Sequence, residues 1–142
     1  VRVLGVGGFL ILYFCSLLGG NLFASYYHRK SNHYAAVGAS GAISGILFST
    51  ILLYPELELY LFFIPIPIPG YLFAAAYVAY SLYGMKMRND NIGHTAHLGG
   101  ALCCIVLSIT FKPDLLIEAS RTLIYLSLTT IAVVFWLFRK KN

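Results

Sequence analysis

The sequence predicts an all-α fold, a polytopic bundle of transmembrane helices read as one domain over residues 1–142. Composition is the first reason: 59% of residues are hydrophobic, 11% are charged and the mean hydropathy is +0.79. A soluble domain carries about 25% charged residues, so most of this surface is matched to lipid rather than water. The second reason is where the charges sit. None occurs between Arg2 and Arg29, Lys30 and Glu56, Glu58 and Lys86, Asp90 and Lys112, or Arg121 and Arg139. Third, the intervening runs approach the roughly 20 apolar residues that a spanning helix needs.

Five candidate spans follow in order: 6–27, 37–54, 70–85, 92–111 and 122–138. The third and fifth are short. The segment 56–69 differs, because Ile64-Pro65-Ile66-Pro67-Ile68-Pro69 alternates isoleucine with proline. Proline lacks the amide donor and clashes inside a helix, so this reads as an extended, apolar connector. The chain opens at Val1 inside an apolar run with no recognisable signal peptide, and reads as N-terminally incomplete.

Net charge is +5, with the basic residues at segment ends. That is the pattern of membrane flanks rather than of a nucleic-acid surface. Cys15, Cys103 and Cys104 all lie in apolar runs and read as small hydrophobes, not as a disulfide framework or metal cluster.

Two short strings carry chemistry: Gly38-Ala39-Ser40-Gly41 and Ala96-His97-Leu98-Gly99-Gly100. If all five segments cross, the loops Tyr27–Ala36 and Lys86–Asn91 share a side. Ser40 and His97 then enter the membrane from one face at comparable depth. Gly41 and Gly45 form a small-xxx-small pair that admits a neighbouring backbone. Gly93, Ala96, Gly100 and Cys104 recur at helical spacing around His97. Two such faces allow a Ser–His hydrogen bond of about 3 Å, the arrangement of an activated nucleophile and its base. Both residues lie near helix N-termini, where free amides favour developing negative charge.

Each feature also has a plainer explanation. Small-residue faces commonly do no more than pack helices, and a serine can bond back to its own helix. A histidine inside a span is harder to explain structurally, since an ionisable group there costs a few kcal/mol. His94, one turn before His97, has spacing that could suit a metal, but with no acidic or cysteine partner it is a weak ligand signal. His28 and His33 fall in a polar loop and read as solvated. Asp90 is the nearest acid and lies in a loop, so a Ser–His dyad is expected rather than a triad. Ser44 is the rival nucleophile, but it lacks the glycine two residues before it.

On these residues the chain resembles the rhomboid intramembrane serine proteases of bacterial type. The likeness runs from about Phe9 to Phe111 and rests on Gly38-Ala39-Ser40-Gly41-Ala42, Phe63-Ile64-Pro65-Ile66-Pro67 and Ala96-His97-Leu98-Gly99-Gly100. The resemblance implies a six-helix core with the serine on its fourth helix and the histidine on its sixth. The first two core helices would precede this sequence, and 122–138 would be an added span. Implied activity is endopeptidase cleavage of transmembrane segments of membrane proteins. Ser40 would be nucleophile and His97 general base; Gly38, Gly41 and Gly100 would support the motif, and the Ser40 amide would serve the oxyanion.

The resemblance calls for no metal and no organic cofactor. Its partners are transmembrane protein substrates and the lipid bilayer, with no nucleic acid. The family draws further oxyanion side chains, a His and an Asn, from its second helix. Its position four after the nucleophile is often aromatic and packs on the histidine, whereas here it is Ser44. The family's topology implies a multi-pass protein of the cell membrane with its active site toward the extracytoplasmic face. The basic residues lean the other way: Arg29, Lys30, Lys86, Arg88, Arg139, Lys140 and Lys141 lie on the site's side against Arg2, Lys112 and Arg121. A catalytically inactive rhomboid-like protein that binds transmembrane helices is the alternative, and a transporter or channel fragment ranks behind both.

Overall fold

The structure is a computed structural model that describes residues 3–31, 38–61, 64–87 and 92–139. Arg2, His33, Phe63, Arg88, Asp90, Lys140 and Lys141 lie outside the described residues. Among the described residues are six helices and one antiparallel two-stranded hairpin. Helix α1 is Gly5–Tyr27, α2 Ser40–Leu53, α3 Gly70–Met87, α4 His94–Phe111, α5 Leu115–Glu118 and α6 Ser120–Arg139; strands β1 (Glu58–Leu61) and β2 (Ile64–Pro69) lie between α2 and α3.

Proline sets two of the helix ends. Tyr54 precedes Pro55 and has φ −132°, ψ 76°; Lys112 precedes Pro113 and has φ −140°, ψ 85°. A residue before proline is pushed out of the helical region, so α2 stops at Leu53 and α4 at Phe111. Among the described residues, two helices, α1 and α4, are long and apolar enough to cross a membrane by length and composition. Helix α2 has 14 residues, which is about 21 Å at the α-helical rise and short of the roughly 30 Å hydrocarbon layer.

The connector is extended, as its prolines require, but it also pairs. Leu59 faces Ile68, Leu61 faces Ile64 and Glu58 faces Pro69, with a bulge between Leu59 and Leu61. A two-stranded hairpin has only edges, where a strand can carry prolines that donate no ladder bond. Gly70 N–H then donates to Leu57 O at 2.8 Å and closes the hairpin into α3.

Side-chain contacts fix the helix directions. Ser16 of α1 meets Gly100 of α4 and Gly20 meets Ala96, so these helices are antiparallel. Gly41 of α2 meets Ala96 and Ser49 Oγ lies 2.6 Å from Ser108 Oγ, so α2 and α4 run together. Tyr71 stacks near Tyr125 and Tyr83 near Trp136, which sets α6 parallel to α3 on its outer side. The apolar core joins Phe48 and Ile51 of α2 to Ala74 and Val78 of α3, Leu98 of α4 and Leu126 of α6. One end of the bundle therefore gathers the starts of α2 and α4 with the ends of α1 and α3. The hairpin, α5 and the exposed ion pairs Lys112–Glu118 and Arg121–Glu56 lie at the other end.

Candidate active site

Ser40 is the first residue of α2, and the bond from Ile43 N–H to Ala39 O at 3.1 Å closes the first turn. The amides of Ser40, Gly41 and Ala42 precede that bond, at the positive end of the helix dipole. The chain reaches this point through Gly38, whose φ of +130° is one that residues with a Cβ rarely adopt. Ser40 is exposed at this end of the bundle.

His97 lies in the first turn of α4, its N–H donating to Gly93 O at 3.0 Å. The half-buried His97 ring has His94 at 6.4 Å and Tyr77 at 6.2 Å between ring centroids. It therefore sits beside the small-residue seam rather than on it. The seam itself is a backbone contact between three helices. A Cβ on Gly41 would stand 2.9 Å from Ala96 O, one on Gly20 would stand 2.6 Å from the same oxygen, and one on Gly100 would run into Gly41 O. Gly41 follows Ser40 and Ala96 precedes His97, so the first turns of both helices are held together by their backbones. No hydrogen bond between Ser40 and His97 is present among the described residues.

Ser44 is nearly buried, at 5% exposure. Its Oγ donates to Ser40 O at 3.0 Å and lies 2.7 Å from Tyr77 Oη. Tyr77, from α3, also packs its ring edge-on to Phe48 at 5.6 Å. Sequence reasoning misses Tyr77: nothing in its spacing marks it among the 11 tyrosines of the chain.

For His28 the structure corrects the sequence reading. It is only partly exposed, and its Nε2 lies 3.3 Å from Thr95 Oγ1, tying the end of α1 to the start of α4. It is not a freely solvated loop residue, because helix α1 carries it onto α4. His94 is buried at 3% exposure with the Tyr80 ring at 5.0 Å. Among the described residues, no group of three or more His, Cys, Asp or Glu side chains could hold a metal ion. Cys15, Cys103 and Cys104 are free thiols, and Cys104 Sγ packs 2.7 Å from Ser16 Oγ in the α1–α4 interface.

The helical, membrane-type bundle fits the class of protein that comparison with known proteins finds. The Rhomboid domain matches residues 1–114, and the chain belongs to the rhomboid family. It is 32% identical over 103 residues to Rhomboid protein 1, mitochondrial, of Saccharomyces cerevisiae, covering 70% of this chain and 30% of that protein. It is 33% identical over 107 residues to RHOMBOID-like protein 12, mitochondrial, of Arabidopsis thaliana, covering 65% of this chain and 32% of that protein. The chain thus spans about a third of the length of the curated relatives it matches. No solved structure matches it. The family is one of membrane proteins, and the helical bundle is of the rhomboid-like kind.

Proposed function

We propose that this chain carries the catalytic dyad of an intramembrane serine endopeptidase. The observation that carries this reading is the backbone contact of Gly41 with Ala96 and Gly100, which docks the turn bearing Ser40 against the turn bearing His97. In the proposed reaction His97 takes the Ser40 Oγ proton as that oxygen attacks a scissile carbonyl. The oxyanion forms near the Ser40 and Gly41 amides, where N–H dipoles already point outward. His97 then returns the proton to the leaving amine, an acyl-serine remains, and a water activated by the same imidazole hydrolyses it. No hydrogen bond is needed in the free protein, since catalytic contacts often tighten only with substrate bound.

The substrates in this reading are transmembrane segments of other membrane proteins, as the family suggests. The site would face the extracytoplasmic side of a multi-pass cell membrane protein. Both matched relatives are mitochondrial by name, so cell fractionation separates the two membranes.

The test uses the full-length protein in proteoliposomes with a reporter membrane substrate and a fluorophosphonate probe. Ser40→Ala and His97→Ala are each expected to lower cleavage by about 10⁴-fold or more, the scale of losing a nucleophile or base in serine enzymes. The probe is expected to label Ser40. Undiminished cleavage by Ser40→Ala overturns the assignment. A folded wild-type protein that neither cleaves nor labels would instead establish the inactive, helix-binding alternative.

A further inference from the structure

Tyr77 reaches both halves of the site from a third helix. Its hydroxyl lies 2.7 Å from Ser44 Oγ, and Ser44 Oγ lies 3.0 Å from Ser40 O. The proton inventory orients this series of bonds. A carbonyl only accepts, so the single Ser44 hydroxyl proton goes to Ser40 O, and the Tyr77 O–H must donate to Ser44 Oγ. The tyrosine is thereby tethered, through one serine, to the carbonyl of the nucleophile's own residue. Its ring then stands beside the His97 ring at 6.2 Å and 33°, within the range of offset aromatic pairs. Phe48 at 5.6 Å and Phe73 at 6.1 Å hold the same ring from α2 and α3.

We propose that Tyr77 is the positioning residue for His97, with Ser44 as its anchor. This rests on the Ser40–His97 reading above. The small side chain at position 44 is what makes the arrangement possible. An aromatic ring there would occupy the space into which the Tyr77 hydroxyl reaches. The aromatic neighbour of the histidine thus comes from α3 instead of α2. Tyr77 does not touch the reacting atoms; it holds the imidazole where it can take a proton from Ser40. A displacement of about 1 Å at a catalytic group can cost about 10²-fold in rate, which sets the size of the expected effect.

The test compares Tyr77→Leu, Tyr77→Phe and Ser44→Ala in the full-length protein with two readouts. One is steady-state cleavage. Tyr77→Leu should lower kcat by about 10- to 100-fold with KM nearly unchanged. Tyr77→Phe, which keeps the ring and loses only the tether, should recover most of that loss, and Ser44→Ala should behave like Tyr77→Phe. The second readout is independent of catalysis: NMR of ¹³C-labelled histidine, with the His97 signal assigned through His97→Gln. Tyr77→Leu should move the His97 ring resonances and leave those of His28, which packs on Thr95, in place. A folded Tyr77→Leu with wild-type kcat and unmoved His97 signals overturns the proposal. So does a Tyr77→Phe as impaired as Tyr77→Leu while Ser44→Ala keeps wild-type kcat, since the hydroxyl would then act other than through its anchor. If the wild-type protein never labels at Ser40, the protease reading falls, and the His97 resonances alone decide whether Tyr77 positions that ring.

Discussion

Gly38 shows how one residue without a side chain shapes the site. It is exposed, and a Cβ there would meet nothing within 4 Å, yet its φ is +130°. A substitution is therefore penalised by backbone strain alone, on the order of 1–3 kcal/mol. Gly38→Ala is expected to lower the unfolding midpoint in detergent modestly and to slow probe labelling of Ser40, because the entry into α2 shifts. Equal labelling rates for the two proteins would show that this turn does not set the position of Ser40. At the same scale, Ser40 and His97 stand out in the sequence as candidates because each lies among small residues near the start of its own apolar run. Tyr77 does not, because its importance comes from which side of α3 docks on α4. His28 reads as solvated from sequence for the same reason: only the packing of α1 brings it to Thr95.

At the scale of elements, the seam between α1, α2 and α4 depends on residues small enough for backbones to touch. A Cβ on Gly100 would strike the Gly41 carbonyl, which belongs to a helix backbone and cannot rotate aside. Gly100→Ala should destabilise the bundle by about 1–3 kcal/mol, the cost of overpacking, read as a lower thermal midpoint in detergent. Gly7 lies in α1, where an added Cβ would meet nothing within 4 Å. Gly7→Ala is expected to be neutral or to stabilise by up to about 1 kcal/mol, the helix-propensity gain. A neutral Gly100→Ala would remove the argument that the Ser40 and His97 turns are locked by backbone contact. Proline makes the ends of α2 and α4 readable in advance, since the pre-proline residue resists helix locally. The pairing of β1 with β2 is not readable, because alternating isoleucine and proline specify an extended chain but not its partner.

For the whole molecule, the ends of α1 and α3 and the starts of α2 and α4 form one end, and the hairpin and α5 form the other. His28, Arg29, Lys30, Ser31 and Lys86 lie at the site end, and Glu56, Glu118 and Arg121 lie opposite. The proposed orientation turns the site end outward, against the lean of its basic residues. Cysteine substitutions report it: in intact cells or organelles, Ser31→Cys should react with a membrane-impermeant maleimide and Glu118→Cys should not. The reverse pattern would place the site on the inner side and make the basic flanks the stronger determinant.

The sequence by itself determined the class of fold, the two chemically capable residues and the end they share. Apolar run length and the alternation of loops are properties of a one-dimensional string, and they suffice for those conclusions. Only the tertiary structure decided what surrounds the pair: the backbone seam through Gly20, Gly41, Ala96 and Gly100, and the tether from Tyr77 through Ser44 to Ser40. The physical reason is that side chains from different helices become neighbours through the rotation and docking of each helix. That choice is made by close packing across the whole bundle, not by the residues next to them in the chain.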